Sequence, residues 1–412
     1  MTQAIVHRDL YRLPWTLADN AIAWLEPTEK CNLHCEGCYR ANVDVHKSLD
    51  EVAADLDVFA RQRNFDGVSI AGGDPLMHPE VVDIVRMVRQ RGWKPILNTN
   101  GLALDEPLLR ELKAAGLSGL TFHIDSKQGR PGWKDSTEQE LNELRLSFAE
   151  MVARVGGLSC AFNSTVYEDT LDAVPDLVDW AQKHIDIVHV MVFICFRASV
   201  TDGDFDFYAG DEKVAMDTLV YNSVESDGER VDLGAHDVIE TIRSRHPDFA
   251  PGAYLNGTQR ADTFKWLLTL RLGSKKRIYG YPGPRFLELV QAGHHWFKKR
   301  YLAYVHPRTL RFGRSMLALW PIDRGVRRAL GRALTDPRVL FRRMYLQSIM
   351  VISPVDFLPD GRQDMCDGCP DMTVWEGDLA WSCRLEECKQ FGQFVHSVPK
   401  SEERVAAASE TH

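Results

Sequence analysis

Three cysteines lie close together in the segment Cys31-Asn-Leu-His-Cys35-Glu-Gly-Cys38-Tyr39, at C-x3-C-x2-C spacing. Thiolates are soft ligands that suit iron-sulfur clusters and zinc. Three thiolates on a four-iron cluster leave one iron free to bind a small molecule, whereas a closed four-thiolate site is structural or passes electrons. The spacing therefore predicts a metal site with room for chemistry. The alternative is a structural zinc site to which His34 contributes the fourth ligand.

The segments around the cysteines predict the elements that position them. Apolar, strand-like runs alternate with segments of helical period as far as residue 197. This alternation is typical of consecutive βα units that form a parallel sheet. We expect strands at 21–25, 67–71, 94–98, 119–124, 158–166 and 188–196, and helices at 49–63, 80–91, 106–115, 136–155 and 171–183.

Polar motifs follow several of these strands, at the edge where parallel α/β folds bind ligands. Taken singly, each motif is an ordinary turn. Their order after successive strands is not expected of an isolated zinc loop. The motifs are Gly72-Gly73-Asp74-Pro75 after the second strand, Asn98-Thr99-Asn100-Gly101 after the third and His123-Ile124-Asp125-Ser126 after the fourth, with Asn163 on the fifth.

The three-cysteine loop followed in order by these motifs resembles the radical S-adenosylmethionine (radical SAM) enzymes. The resemblance implies a partial, TIM-like α/β barrel of six βα repeats. It also implies that Cys31, Cys35 and Cys38 bind three irons of a 4Fe-4S cluster, whose fourth iron chelates S-adenosylmethionine. One electron then splits the sulfonium and releases a 5′-deoxyadenosyl radical, which abstracts hydrogen from an unactivated carbon.

The same resemblance implies which residues contact the cofactor. Gly72, Gly73 and Asp74 match the motif that receives the amino group, with Asp in place of the commoner Glu. Gly37 stands where the family usually has an aromatic residue, so Tyr39 is expected to pack against the adenine. The ribose and carboxylate are expected near Asn98, Asn100, His123, Asp125 and Asn163.

Two cysteines stand alone. Cys195 ends the sixth predicted strand and is a candidate catalytic residue, because a thiol there could donate a hydrogen atom to a product radical. The alternative is a buried core cysteine among Phe, Ile and Val side chains. Cys160 lies between apolar residues and is expected to be packing.

Four further cysteines, Cys366, Cys369, Cys383 and Cys388, follow C-x2-C-x13-C-x4-C spacing. Four thiolates suit a closed auxiliary 4Fe-4S cluster, a rubredoxin-type iron or a structural zinc, and the neighbouring radical chemistry favours the 4Fe-4S cluster. Seven of the nine cysteines thus lie in two tight groups, which indicates metal binding rather than disulfides.

Charge is segregated along the 412-residue chain, whose net charge is −9. Residues 202–242 hold twelve acidic and two basic residues, and residues 265–343 hold nineteen basic and three acidic residues, a local charge of +16. In the basic block, Lys and Arg alternate with Trp, Phe and Leu. This composition favours peripheral contact with an anionic membrane surface. A solvated helical face balanced by the acidic segment is the alternative, and nucleic acid is disfavoured because apolar residues are so abundant.

The composition predicts six regions. They are an N-terminal segment (1–20), the partial barrel (21–200), an acidic connecting segment (201–262), a basic, mainly helical, amphipathic domain (263–350), a four-cysteine domain (351–396) and a disordered tail (397–412). Residues 1–19 have no apolar run typical of a secretory signal, and the apolar runs elsewhere are shorter than the roughly 20 residues that cross a bilayer. We therefore expect a cytoplasmic protein that reaches the inner membrane surface.

Residues 358–361, 365–371 and 382–385, together with Val192-Phe193, resemble the tetraether lipid synthase branch of the radical SAM family, some of whose members were called class D radical SAM methyltransferases. The branch implies hydrogen abstraction from an alkyl carbon of a membrane lipid and formation of a carbon-carbon bond. The expected partners are a lipid or other small-molecule substrate and a one-electron donor such as flavodoxin or ferredoxin. A radical SAM methyltransferase or peptide-modifying enzyme and a zinc-stabilised nucleic-acid-binding protein are the alternatives.

Overall fold

The structure is a computed structural model that describes residues 5–196, 205–216, 219, 233–358 and 360–400. Its strands are β1 (Tyr11–Arg12), β2 (Ile22–Leu25), β3 (Gly67–Ile70), β4 (Lys94–Thr99), β5 (Gly119–His123), β6 (Ser159–Val166), β7 (Val190–Cys195), β8 (Phe205–Ala209), β9 (Glu212–Val214), β10 (Ala253–Leu255), β11 (Trp266–Ser274), β12 (Arg277–Gly280), β13 (Tyr345–Ile352), β14 (Asp356–Phe357), β15 (Gln363–Asp364), β16 (Met372–Trp375), β17 (Asp378–Trp381) and β18 (His396–Pro399).

The α-helices are α1 (Leu49–Gln62), α2 (Val81–Gln90), α3 (Glu106–Ala115), α4 (Leu141–Val155), α5 (Val174–Lys183), α6 (Ala235–Arg245), α7 (Pro284–Lys298), α8 (Pro307–Leu310), α9 (Gly313–Met316), α10 (Arg324–Leu334) and α11 (Leu385–Phe391). Local chemistry sets several of their ends. Helix α1, for example, begins at a capping box in which Ser48 accepts from the Glu51 amide and Glu51 accepts from the Ser48 amide.

Strands β2 to β7 are neighbours in sequence order and all pair in parallel, with helices α1 to α5 in the connections. The predicted six-stranded α/β partial barrel is therefore confirmed, and its strand ends differ from the predicted ones by at most two residues. Helix α4 begins at Leu141 rather than at Ser136, because Thr137 and Glu140 exchange hydrogen bonds in a turn before it.

The main sheet continues beyond the six predicted strands, in the order β1-β10-β11-β13-β7-β6-β5-β4-β3-β2. Strand β13 pairs in parallel with β7, and β11 pairs antiparallel with β13. Residues 263–350 thus contain helices α7 to α10 together with β11, β12 and most of β13, which extend the barrel sheet. Residue 350, the predicted end of the basic domain, lies inside β13.

Helices α7 to α10 pack on the extended part of the sheet and form a second apolar core with β11, β12 and β13. Asp323, which is 1% exposed, joins two of these helices. Its carboxylate caps α10 by accepting from the Val326 amide at 2.9 Å, and it accepts from the amides of Gly283 and Phe286 at the start of α7, at 2.9 and 3.2 Å. One of the three acidic residues of the basic block is therefore used inside the fold.

The C-terminal region packs against the start of the barrel. The Arg63 guanidinium donates to the Cys369 carbonyl at 2.6 Å, and the Asn20 amide group donates to the Gly368 carbonyl at 3.0 Å. Residues 397–399, predicted to belong to a disordered tail, lie in β18, which pairs with β8. Residues 401–412 lie outside the described residues, and so do residues 202–204, 217, 218 and 220–232 of the acidic stretch predicted at 202–242.

Within the described part of the chain, every helix is too short or too polar to cross a membrane.

His189 lies just before β7 and forms two hydrogen bonds with Cys160 of the neighbouring strand β6. The Nδ1 atom of its ring accepts from the Cys160 amide at 2.9 Å, and its own amide donates to the Cys160 carbonyl at 2.9 Å. Burial lowers the pKa of His189 to about 4, and the Arg311 charge acts in the same direction.

We expect the His189→Asn variant to reveal this burial. Below pH ~6.5 the unfolded chain takes up a proton that folded His189 does not, so the wild-type protein loses stability as the pH falls towards about 4. The asparagine side chain keeps an acceptor and does not titrate. The variant is less stable than wild type at pH ~7.5. The difference between their free energies of unfolding, obtained from thermal midpoints, is smaller by about 1 kcal/mol at pH ~5.5. A difference that stays constant over this range would contradict the assignment.

Candidate active site

The turn after β3 lies against the segment that leads into the three-cysteine loop. The Gly73 amide donates to the Thr28 carbonyl at 2.9 Å, and the Asp74 amide donates to the Lys30 carbonyl at 2.8 Å. A Cβ atom on Gly72, whose φ is +108°, would clash with the Thr28 carbonyl oxygen, and one on Gly73 would clash with the Lys30 carbonyl oxygen. Two glycines are therefore needed for this close backbone approach.

Asp74 links this turn to the end of β4. Its carboxylate is 1% exposed and accepts from the Thr99 hydroxyl at 2.8 and 2.9 Å, from the Asn100 amide at 2.7 Å and from the Leu76 amide at 2.9 Å. Burial raises the pKa of Asp74, and these hydrogen bonds oppose the shift. Both carboxylate oxygens are thus directed at donors of the chain itself, so Asp74 holds two predicted cofactor motifs in register.

Two asparagines position the first cysteine. The Asn100 Nδ2 atom donates to Asn32 Oδ1 at 2.7 Å and lies 3.6 Å from the Cys31 sulfur. Asn42 accepts from the Cys31 amide at 2.9 Å and donates to the Cys31 carbonyl at 3.0 Å. The sequence pattern does not single out Asn42, because this residue lies outside the spaced cysteine motif. An Asn residue in a loop indicates only that its side chain can bond to nearby backbone groups.

The three thiols of the loop interact with one another. Burial raises the pKa of Cys31, Cys35 and Cys38, and the charges of neighbouring thiols raise the pKa of Cys31 and Cys35 further. Soft donors that mutually oppose ionisation fit a positively charged iron site, because a metal reverses this effect. The side chain of His34, the fourth ligand of the zinc alternative, is exposed. Among the described residues, no group of three or more His, Cys, Asp or Glu side chains is closed tightly around a metal position.

A ring of polar side chains lines the barrel interior beyond the loop. His123 Nε2 lies 3.0 Å from the Thr165 hydroxyl and 3.0 Å from Asp125 Oδ2. Asn163 lines the same wall, and so does Asn98, whose buried Nδ2 atom has no hydrogen-bond partner among the described residues. An unpaired buried donor is costly, so Asn98 points to a ligand acceptor at this level of the barrel.

Arg40 connects the loop to the C-terminal region. Its guanidinium forms an ion pair with Glu26, donates to Ser382 Oγ at 3.2 Å and lies 3.4 Å from Glu386. The guanidinium lies over the Tyr39 ring at 5.0 Å, and the Tyr39 hydroxyl is 3.4 Å from Ser382 Oγ. Cys38 lies two residues before Arg40 and Cys383 directly follows Ser382, so the buried contact between Arg40 and Ser382 joins the two segments that carry these cysteines. The spacing of the cysteines in the sequence does not indicate this contact.

A cavity of about 570 Å³ occupies the barrel interior. One end is bounded by residues 36–39, and the other by residues 302–305 with Thr309 and Leu310. Most of the wall between these ends is apolar, and it includes Ile22, Trp24, Val190, Val192, Ile194, Trp266, Leu268, Leu270, Leu346, Met350 and Ile352.

Three of the four C-terminal cysteines line this same cavity. Cys366, Cys369 and Cys383 lie on its wall, and the pKa of Cys369 is raised by its hydrogen bond with Cys366 as well as by burial. Cys388 lies instead in a small apolar cluster with Ala380 and Leu385. The structure therefore brings three members of the predicted four-cysteine set to the cavity wall, which Cys388 does not line.

The lone cysteines are buried. Cys160 is 0% exposed and packs in the core between sheet and helices, as predicted. Cys195 is also 0% exposed and belongs to that core, where its sulfur lies 3.7 Å from Ser353 Oγ. It borders the cavity at the end of β7, next to Ile194 and Phe196. Its role as a hydrogen-atom donor stays a prediction.

Comparison with known proteins identifies the domain that carries the cysteine loop. The family model of the radical SAM superfamily matches residues 25–181. This stretch is a radical SAM domain. It contains the three-cysteine loop and strands β3 to β6, together with the three polar motifs that follow β3, β4 and β5.

The chain is similar in sequence to several curated proteins, including the following three. A tungsten-containing aldehyde ferredoxin oxidoreductase cofactor-modifying protein of Pyrococcus furiosus is 32% identical, over 25% of this chain and 30% of its own. A PqqA peptide cyclase of Xanthomonas campestris is 28% identical over 41% and 46%. An AdoMet-dependent heme synthase of Nitratidesulfovibrio vulgaris is 27% identical over 41% and 48%. The matches thus span less than half of each relative.

Among solved structures, Streptococcus suis SuiB bound to its precursor peptide SuiA gives a TM-score of 0.35 at 16% identity, over 44% of this chain and 40% of SuiB. SuiB bound to S-adenosylmethionine gives a TM-score of 0.36 at 15% identity, over 45% and 43%.

The glycine contact is tested by the Gly73→Ala variant. A methyl group at this position meets the Lys30 carbonyl, so the turn must separate from the segment that leads into the cysteine loop. We expect a loss of about half or more of the iron and sulfide bound after anaerobic reconstitution, measured per chain. Gly331→Ala in α10, where a Cβ atom meets nothing within 4 Å, is the matched control and keeps its iron. Full loading of Gly73→Ala would contradict the role given to this contact.

The Arg40 network is tested by the Arg40→Gln variant. Removing one partner of a buried ion pair costs about 3–5 kcal/mol, because the carboxylates of Glu26 and Glu386 are left without compensation. We expect the C-terminal region to loosen, so that in the metal-free chain maleimide labels Cys366, Cys369 and Cys383 faster, as measured by mass spectrometry. Arg110→Gln, which removes an exposed partner of Glu106, leaves labelling unchanged. Equal labelling in both variants would show that Arg40 does not hold the two regions together.

Proposed function

We propose that the protein is a radical SAM enzyme that abstracts hydrogen from an unactivated alkyl carbon of a membrane lipid. The observation that carries the proposal is the apolar cavity that begins at the cysteine loop and runs through the barrel. A substrate that fills it presents hydrocarbon to the site where the radical forms.

The first three cysteines suit the cluster of this family. Cys31, Cys35 and Cys38 would hold a 4Fe-4S cluster, which would supply the electron for the reductive cleavage of S-adenosylmethionine. The close contact of the Gly72-Gly73 turn with residues 28–30 would hold the entrance of the loop in place beside the methionyl part of the cofactor. Asn98, His123, Asp125 and Asn163, with Asn100 beside the loop, would bind the ribose and carboxylate, and Tyr39 would pack beside the adenine.

The length of the cavity favours an extended chain over a compact substrate. Its wall on β13 runs from Leu346 to Ile352, and six residue steps of about 3.3 Å give roughly 20 Å. Such a wall accommodates an alkyl chain end-on, and no buried charge lines this strand. The charged headgroup then lies outside the barrel.

Formation of a carbon-carbon bond fits the same chemistry. Each 5′-deoxyadenosyl radical takes one hydrogen atom and leaves as 5′-deoxyadenosine. Joining two alkyl carbons therefore consumes two hydrogen abstractions, two molecules of S-adenosylmethionine and two electrons from a donor such as flavodoxin or ferredoxin. Cys366, Cys369, Cys383 and Cys388 are proposed to hold an auxiliary iron-sulfur site, the first three of them on the cavity wall.

Peptide modification is the second candidate. PqqA peptide cyclase, one of the proteins similar in sequence to this chain, is named for a peptide substrate. A peptide needs hydrogen-bonding partners along its backbone, whereas the wall described above is mostly apolar. We therefore place the lipid first.

The two candidates separate in one assay. Reconstituted full-length enzyme, reduced and given S-adenosylmethionine, is incubated with a lipid extract or with a peptide library, and 5′-deoxyadenosine is measured by mass spectrometry. We expect the lipid to stimulate its formation severalfold and Cys31→Ala to abolish it. Val192→Phe, which narrows the cavity, lowers the lipid-dependent part, and Val45→Phe on the exposed surface does not. Stimulation by a peptide and none by lipid would reject the lipid assignment.

A further inference from the structure

We infer that the face of the barrel at which the strands begin docks on the headgroup surface of an anionic lipid bilayer. We call this the basal face. It is formed by the C-terminal end of α7, the segment 299–312 and the turns around Phe312 and Phe341. The inference concerns binding and stands independently of the reaction, although it indicates how a lipid chain reaches the cavity.

Hydrogen bonds place these segments at one end of the barrel. The Lys299 carbonyl accepts from Asn64, just before β3, at 2.6 Å, and Arg300 donates to the Gly92 carbonyl, just before β4, at 3.3 Å. On the other side, the Gly313 amide donates to the Met344 carbonyl, just before β13, at 3.1 Å. Because β3, β4 and β13 run in the same direction, all of these contacts lie at the end where the strands start.

Large aromatic side chains project from this face into solvent. Trp296 is 76% exposed, Phe297 82%, Phe312 62% and Phe341 92%. Throughout the described residues, every exposed Trp or Phe lies between positions 296 and 341. Scattered exposed apolar residues are normal, but a group of the largest ones at one end of a fold marks an interaction surface.

The charge around these aromatics is positive, with exposed cations at Lys298, Lys299, Arg308, Arg311, Arg314 and Arg343. The acidic residues of the same block do not offset them on this surface. Asp323 and Asp336 are 1% and 7% exposed and accept hydrogen bonds inside the fold, and Glu288 pairs with Arg285 near the start of α7. The acidic residues of the block therefore leave the cations of this face unbalanced, and the carboxylate of Asp19 beside it lies 2.8 Å from His295 Nε2.

Cations beside projecting Trp and Phe match the chemistry of an anionic bilayer surface. Lys and Arg attract the phosphate groups, and the aromatic rings enter the boundary between headgroups and acyl chains. A nucleic acid duplex would use the cations but offers the rings no apolar phase, and single-stranded RNA, whose bases can stack on aromatic rings, is the competitor used in the test below. The cations need anionic groups and the aromatic rings need an apolar phase, and an anionic lipid surface provides both.

The cavity ends directly behind this face. Leu302, Val305 and Leu310 line it, and they lie in the chain between Phe297 and Phe312. A lipid held at the basal face therefore has its chain next to the inner end of the barrel cavity, separated by the segment 302–310.

Vesicle flotation with the full-length, reconstituted protein tests the inference. We expect binding to vesicles that contain phosphatidylglycerol and little binding to phosphatidylcholine alone. Trp296→Ser with Phe297→Ser, and separately Lys298→Glu with Lys299→Glu, each lower the bound fraction on the order of tenfold. The matched controls, Leu102→Ser with Val398→Ser and Arg110→Glu with Arg154→Glu, change exposed residues elsewhere and leave binding unchanged.

The possible outcomes distinguish vesicle binding by the basal face from lipid-dependent turnover. If the aromatic variant floats as well as wild type, or if single-stranded RNA displaces the vesicles while the aromatic substitutions have no effect, the surface is a general polyanion site and the inference is overturned. Turnover is then measured with the same variants on detergent-dispersed lipid. Variants that lose vesicle binding but keep this turnover support docking, whereas wild-type protein that floats without any lipid-dependent turnover refutes only the proposed reaction.

Discussion

The close approach of the Gly72-Gly73 turn to the backbone of residues 28–30 is the contact on which the candidate active site depends. It brings the end of β3 against the entrance of the cysteine loop, and Asp74 then carries the same constraint to the end of β4. Asn100 extends it back to the first cysteine. A loop of half-buried thiols with weak intrinsic structure is thereby held at the mouth of the barrel by backbone hydrogen bonds, which side-chain variation alters little.

The second constraint is electrostatic. Arg40 lies two residues after Cys38 and faces two carboxylates, one from the end of β2 and one from α11. A buried cation of this kind is stable only if its partners stay in place. The radical SAM domain and three of the C-terminal cysteines, Cys366, Cys369 and Cys383, therefore border the same cavity. The rest of its wall is mostly apolar, which limits the access of water to the interior.

The barrel half could be predicted because its information is local. Each βα unit has a strand-like run, a helical period and a polar turn, and Cys31, Cys35 and Cys38 are close in sequence. The contribution of β13 could not be found in this way. Its Tyr345–Ile352 stretch lies in a basic, aromatic block whose average composition indicates amphipathic helix, and its pairing with β7 joins residues far apart in the chain. Arg40, Asn42 and the separate position of Cys388 depend likewise on tertiary contacts that no spacing encodes.

The place of β13 between β7 and β11 has a consequence for how the molecule is made. Val190 of β7 pairs with Ser348, so the open edge of the nascent parallel sheet waits for more than a hundred further residues to leave the ribosome. Unpaired edges of this kind recruit other strands and slow the final closure of a fold. During synthesis the cysteine loop is therefore made while β7, at the edge of the sheet, still lacks its partner β13. The order of the strands therefore makes completion of the sheet a late step of synthesis, which follows that of the cysteine loop.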